Sequence, residues 1–208
     1  MQMFLKPEVS YLEKLLDESC KAVSSTVPPG FPLDAKMAAS LQQLRHRAET
    51  RVRGLSIPTK RDEEWRFTNL SSIMKLGFQA APPVDLDVLN MAPFILPEVA
   101  DSRLVFINGV FAPQLSSVTG IANQAFVGNL GQLPLEYQKR VYNYLAKQPG
   151  SEEVFTSLNT AGLTDAAVVW LPKNKMVEKP IHLLFIATQT GVPILTQGRC
   201  LVVAESNS

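Results

Sequence analysis

Along the first third of the chain, apolar residues return at helical spacing. Leu12, Leu15, Leu16, Cys20 and Val23 fall near one face, with Glu13, Lys14, Asp17 and Glu18 opposite, which predicts an amphipathic helix ended by Pro28-Pro29-Gly30. A second helix is predicted from Asp34, an N-cap residue type, through Met37, Ala38, Leu41, Leu44 and Ala48 to a stop at Gly54. Its other face carries Gln42, Gln43, Arg45, Arg47 and Glu49. A charged and aromatic connector, Pro58-Thr-Lys-Arg-Asp-Glu-Glu-Trp-Arg-Phe-Thr68, follows, then a short helix through Leu70, Ile73 and Met74. Pro82-Pro83 and Pro93 mark irregular connections.

From about Arg103 the period changes to that of strands. Leu104-Val-Phe-Ile107 and Val110-Phe-Ala112 flank Asn108-Gly109, a pair that accepts the positive φ angles of a two-residue type I′ turn, so a hairpin is predicted. A helix is expected from Pro134 to Lys147 on Leu135, Val141, Tyr142 and Leu145, closed by Pro149-Gly150, and another from Glu152 to Ala161. The runs Ala167–Leu171, Ile181–Ala187 and Cys200–Ala204 read as strands. Their starts are 14 and then 19 residues apart, too close for a helical crossover in every interval, so strands joined by turns, as in a β-sandwich or a β-helix, fit better. The last apolar run has no capping element after it, so an exposed edge or open solenoid face, and hence a continuing chain or a partner, is expected.

Composition narrows the function. Lys+Arg 20 against Asp+Glu 19 gives a net charge of +1 over 208 residues, which argues against nucleic acid or an anionic membrane as a partner. No apolar run reaches the roughly 18 residues of a membrane-spanning helix, predicting a soluble chain. Glu8, Glu13, Asp17 and Glu18 sit where a transit peptide is acid-poor and a signal peptide apolar, which predicts cytoplasmic localisation.

Candidate chemistry is sparse. Cys20 and Cys200 supply neither a CxxC pair nor the four thiolates usual for an iron–sulfur or zinc site, and both read as small hydrophobes, although Arg199 beside Cys200 could lower that thiol's pKa. His46 reads as a surface residue and His182, at a strand start, as structural. In Lys60-Arg-Asp-Glu-Glu64 consecutive acids point different ways, so a solvated connector is expected rather than paired carboxylates. If that segment is extended, Trp65 and Phe67 share a side and anchor it to the core. The triplet Asn69-Leu70-Ser71 is a chance sequon, and no Walker loop, GxGxxG or nucleophile elbow is present.

Three blocks in order, Arg61-Asp-Glu-Glu-Trp-Arg-Phe-Thr68, Leu104-Val-Phe-Ile-Asn-Gly-Val-Phe-Ala-Pro-Gln-Leu-Ser116, and Phe155-Thr-Ser-Leu-Asn-Thr-Ala161 with Asp165 and Pro180-Ile181, resemble the SufB/SufD family, and its SufD side more closely. The resemblance runs from about Leu41 to the end. It implies, as the change from helical to strand period does, a mixed α and β fold: a helical N-terminal region with connector over residues 1–100, then the opening turns of a right-handed parallel β-helix over 101–208; the strand spacing keeps a β-sandwich as the alternative. It also implies a non-catalytic scaffold subunit of the SufBCD complex in iron–sulfur cluster assembly, with SufB and the ATPase SufC as partners. The plastid stroma is the alternative location. Family members continue well past residue 208, to a helical region that docks SufC, and their main SufB contact and cluster-forming site lie in that later part. No catalytic, cofactor-binding or metal-ligating residue is therefore assigned here, and the iron–sulfur cluster is expected only at the level of the complex. The competing expectations are a standalone small-molecule enzyme using His182 or Cys200, and a generic β-solenoid adaptor.

Overall fold

The computed structural model describes residues 10–25, 33–82, 92–188 and 191–208; Glu8, the Pro28-Pro29-Gly30 stop and Pro83 lie outside them. Helix α1 spans Tyr11–Ser25. Ser10 starts it with a reciprocal cap: its hydroxyl accepts from the Glu13 amide at 3.1 Å while the Glu13 carboxylate accepts from the Ser10 amide at 2.8 Å. Helix α2 spans Ala35–Arg53, with the Asp34 carboxylate accepting from the Lys36 amide and the Gly54 amide donating to the carbonyls of Arg51 and Val52. Gly54 stays right-handed at φ −96°, so the helix ends without a left-handed cap.

The connector is not extended. It runs through a 3₁₀ turn at Glu63–Trp65, so residues two apart no longer share a side. Trp65 packs on Phe155 with ring centroids 5.4 Å apart, whereas Phe67 is 93% exposed. The expected helix through Leu70 reduces to a 3₁₀ turn at Ile73–Lys75.

Strand β1 is Gln79–Ala80, β2 is Arg103–Ile107, β3 is Val110–Phe111 and β4 is Phe126–Asn129. The β2–β3 hairpin turns on Asn108 at φ 52° and Gly109 at φ 85°, the two positive angles of the expected turn. The long helix expected from Pro134 breaks up: α3 covers only Leu135–Gln138, and a 3₁₀ turn follows at Val141–Asn143. Tertiary packing overrides the helical period here. Tyr137 stacks on buried Trp170 at 4.5 Å, Tyr144 meets it edge-on at 5.4 Å and the Arg140 guanidinium lies 5.0 Å over its ring, so this segment wraps one indole. Helix α4 is Val154–Ala161, then β5 is Ala167–Leu171, β6 His182–Ile186, β7 Ile194–Leu195 and β8 Cys200–Ala204.

Among the described residues the strands form three small sheets ordered β1-β7, β3-β2-β6 and β4-β5-β8, with no closed barrel. The pairs β1–β7, β2–β6 and β5–β8 are parallel, while β2–β3 and β4–β5 are antiparallel. The run β5, β6, β7 visits all three sheets before β8 returns beside β5, so Ala167–Leu171 and Cys200–Ala204 stack in parallel while His182–Ile186 pairs with Arg103–Ile107.

Strand alternation divides the core. Leu104 and Phe106 of β2 meet Val127, Ala167 and Val169 of the other three-stranded sheet, forming a layer between the two. The alternate residues of β5 and β8, Val168, Trp170, Leu201 and Val203, face outward and are covered by Met37 and Leu41 of α2. A further cluster joins α1, α2 and α4 through Leu12, Leu16, Ala48, Val52, Val154 and Leu158. Among the described residues no helix is long and apolar enough to cross a membrane.

Candidate functional site

The two residues that a standalone enzyme would use are not brought together. His182 pairs in register with Arg103 and Cys200 with Ala167, on different sheets. By alternation Cys200 shares the face of Ala167 that meets the layer between the sheets, whereas His182 lies on the opposite face from Leu183 and Leu104, away from that layer. The Nδ1 atom of His182 is buried without a hydrogen-bond partner among the described residues. His46 is exposed on α2.

Arg199 does not activate Cys200. Its guanidinium turns to the end of α4, with Nε donating to Asn159 Oδ1 at 2.7 Å and Nη2 to Thr160 Oγ1 at 2.8 Å. Cys200 is exposed as a residue, not the buried hydrophobe expected, yet partial desolvation of its sulfur pushes the thiol above its ordinary value, opposite to the lowering that Arg199 could have given. Cys20 is half-buried, and its thiol is also pushed up, chiefly by burial and then by Glu49 and Asp17.

What the fold does build is a set of buried polar junctions. Asp165, 1% exposed, precedes β5. Its carboxylate accepts from Asn129 Nδ2 at 2.9 Å and from the amides of Leu130 at 3.2 Å and Ala166 at 2.8 Å. Asn129 is itself a cap: its Oδ1 accepts from the Gln132 amide at 3.1 Å while the Gln132 side chain accepts from the Asn129 amide. Desolvation pushes the Asp165 carboxyl up to about 6, against the opposing pull of its donors. The carboxylate thus locks the end of β4 to the start of β5, with hydrogen bonds in place of a cation.

A second junction joins distant parts of the chain. The Gln197 amide donates to Ser19 Oγ at 2.7 Å, and Ser19 Oγ donates to the Leu15 carbonyl at 2.8 Å, both residues being buried. Gly162 permits this approach, since a Cβ there would come within 2.5 Å of Gln197 Nε2. Sequence reasoning missed both junctions; the Asn-x-x-Gln spacing of a cap at 129–132 was the available signal.

The first and last of the blocks that carry the resemblance touch. Trp65 of the connector packs on Phe155 of α4, whose end holds Arg199 at the start of β8. Ser116, at the end of the hairpin block, accepts from the Val105 amide and donates to the Ala112 carbonyl, both at 2.9 Å. Ser102 donates to the Pro180 carbonyl at 2.7 Å and accepts at its own carbonyl from the His182 amide at 2.9 Å. These contacts set strand positions. An open groove of about 1050 Å³ lies between α1 and residues 74–79, and no group of three or more His, Cys, Asp or Glu among the described residues is placed to hold a metal.

Comparison with known proteins matches residues 32–183 to the family described as "SufBD protein N-terminal region". A Synechocystis protein named "Iron-sulfur cluster assembly SufBD family protein slr0076" is 46% identical over 154 residues, which is 74% of this chain and 34% of that protein. The Arabidopsis thaliana "Protein ABCI7, chloroplastic" is 25% identical over 189 residues, covering 90% of this chain and 37% of that protein. The chain therefore spans about a third of the length of the curated relatives it matches.

Proposed function

We propose, because the chain belongs to the SufBD family, that it acts in iron–sulfur cluster assembly as the N-terminal part of a non-catalytic scaffold subunit on the SufD side of that family. The observation that carries this reading is the match over residues 32–183 together with 46% identity to a relative named for cluster assembly. The structure supports it by what its buried polar groups do: Asp165, Asn129, Ser19, Gln197 and Arg199 tie strands and helices together in closed hydrogen-bond sets. His182 in the β3-β2-β6 sheet and Cys200 in the β4-β5-β8 sheet offer no converging pair for a catalytic alternative.

On this reading SufB-like and SufC-like chains are the partners, the cluster is cargo of the complex, and ATP hydrolysis belongs to the SufC-like subunit. The parallel stacking of β8 on β5, and of β6 on β2, supports a right-handed β-helix as the continuation of the fold. A relative named chloroplastic and one from a cyanobacterium favour the plastid stroma, or a cyanobacterial cytoplasm, as the compartment. Deleting the gene tests the function. Iron–sulfur enzyme activities should fall while heme and zinc enzymes hold, and recover with the full-length gene; undiminished iron–sulfur enzymes in the deletion strain would overturn the proposal.

A further inference from the structure

Helix α1 gives one stripe to the core and another to the wall of the open groove. Leu12 and Leu16 pack into the helical cluster, whereas Tyr11, Lys14, Leu15 and Glu18, spaced i, i+3, i+4 and i+7, line the groove. Opposite them runs the segment from Met74 to Gln79. Two hydrogen bonds from α1 pin that segment: Tyr11 Oη donates to the Ile73 carbonyl at 2.8 Å, and the Glu18 carboxylate accepts from the Ala80 amide at 2.9 Å. The groove is therefore built from its own hydrogen bonds before anything fills it.

The apolar side chains of this wall are not used by the core. Met74 and Leu76, with Ile73 beside them, are 43%, 41% and 46% exposed, although the backbone that carries them is held at both ends. A fixed apolar wall facing water gains when an apolar surface covers it, and a flexible thioether adapts to the surface it meets.

Charge and hydrogen bonding narrow the occupant. Of the charged groups lining the groove, Glu18 is engaged by Lys21 and the Ala80 amide, and Asp17 lies in the field of Lys21 and Arg53. Lys14 and Lys75 have no carboxylate partner among the described residues, so the groove presents two uncompensated positive charges. Addition of a strand is closed off. Gln79 and Ala81 donate their amides to the carbonyls of Pro193 and Leu195, and the Ala80 amide, which points the other way, is already held by Glu18. An occupant is thus recognised through its side chains, as a helix is.

We propose that this groove docks an amphipathic helix of a partner protein, with apolar side chains at helical spacing laid between Leu15 and Leu76 and acidic side chains set against Lys14 and Lys75. The pinned walls lower the ordering cost of binding on this side. The proposal needs no cluster chemistry and is separable from the scaffold reading.

The test uses the full-length protein in its own cells, with photoreactive p-benzoylphenylalanine in place of Met74. Mass spectrometry of the crosslink should show a segment of a different protein that is net acidic and apolar at helical spacing. Made as a synthetic peptide, that segment should bind the purified protein as a helix, and lose about tenfold or more in affinity with Lys14→Glu and Lys75→Glu together, and likewise with Leu76→Asp. Phe67→Ala, outside the groove, should leave affinity within about twofold. Added salt should weaken binding to the wild type and strengthen binding to the charge-reversed chain, a contrast that a merely destabilised fold does not produce. A crosslink within the same chain would assign the groove to the protein's own residues, and one to a second copy would make it a dimer contact. Either overturns the proposal, as would no crosslink, a basic captured segment, or an affinity indifferent to charge reversal. If any of these is found while iron–sulfur enzymes still depend on the gene, this inference fails and the scaffold reading stands.

Discussion

Changing Asp165 to Asn isolates the one carboxylate buried among the described residues. Its folded pKa of about 6 lies above the ordinary 3.8, so the folded state takes up the proton first. Between those two values the native chain binds more protons than the unfolded one, and stability falls as pH rises through that window. The difference of roughly 2 units corresponds to about 3 kcal/mol between the two plateaus, of which about 1 kcal/mol is regained on going from pH 7 to pH 5. Other shifted carboxylates do not obscure this. Glu13, Glu18, Asp62, Asp101 and Glu205 are pulled down by their hydrogen bonds, so their contributions are present above the ordinary carboxylate range and are lost only below about pH 4.5. At neutral pH, Asp165→Asn removes the buried charge but turns an amide donor toward the donors of Asn129, Leu130 and Ala166, a loss of ~1–3 kcal/mol that offsets much of the gain. The slope, rather than the absolute stability, is therefore diagnostic. Urea unfolding at intervals from pH 5 to 7 should show the wild type losing about 1 kcal/mol more than Asp165→Asn as pH rises. Parallel curves for the two proteins would refute the reasoning.

Other positions give sharper contrasts. Phe67→Ala should leave urea stability within about 0.5 kcal/mol of wild type, because the ring is 93% exposed, whereas Trp65→Ala should cost about 1–3 kcal/mol through the lost packing on Phe155. Gly109→Val, forced into φ 85° with its Cβ 3.4 Å from the Gln197 carbonyl oxygen, should lower stability by about 2 kcal/mol in the same assay. Arg199→Met should cost about 1–3 kcal/mol and speed amide exchange in β8, since Asn159 and Thr160 lose their donor. Anaerobic reconstitution with iron and sulfide should leave the 208-residue monomer without stoichiometric cluster after gel filtration; retained iron and sulfide that depend on Cys20 or Cys200 would contradict the scaffold reading of this segment.

The elements legible in the sequence were those set by local chemistry. Helices α1, α2 and α4 follow from the spacing of Leu12, Leu15 and Leu16, of Met37, Leu41 and Ala48, and of Val154 and Leu158, and the hairpin from Asn108-Gly109. Strands β5 and β8 were apolar runs of ordinary strand length. Illegible were features that depend on distant partners. The two-residue strands β1 and β7 exist only through each other, Tyr137 and Tyr144 leave the helical pattern to surround Trp170, and Arg199 faces α4 instead of its neighbour Cys200. Only an extended connector would put Trp65 and Phe67 on one side, and its 3₁₀ turn, set by local charge and tertiary contact rather than by period, parts them. Asp165 belongs to a resembling block, but its role depends on β4 bringing Asn129 beside it across 36 positions of chain.

Affinity purification of the full-length protein from its own cells tests the central claim most directly. The scaffold account predicts that SufB-like and SufC-like chains co-elute with it in fixed proportion, and that removing the SufC-like ATPase leaves the SufB-like contact in place. A full-length protein that elutes alone under native conditions, with a turnover abolished by His182→Ala or Cys200→Ser, would contradict it.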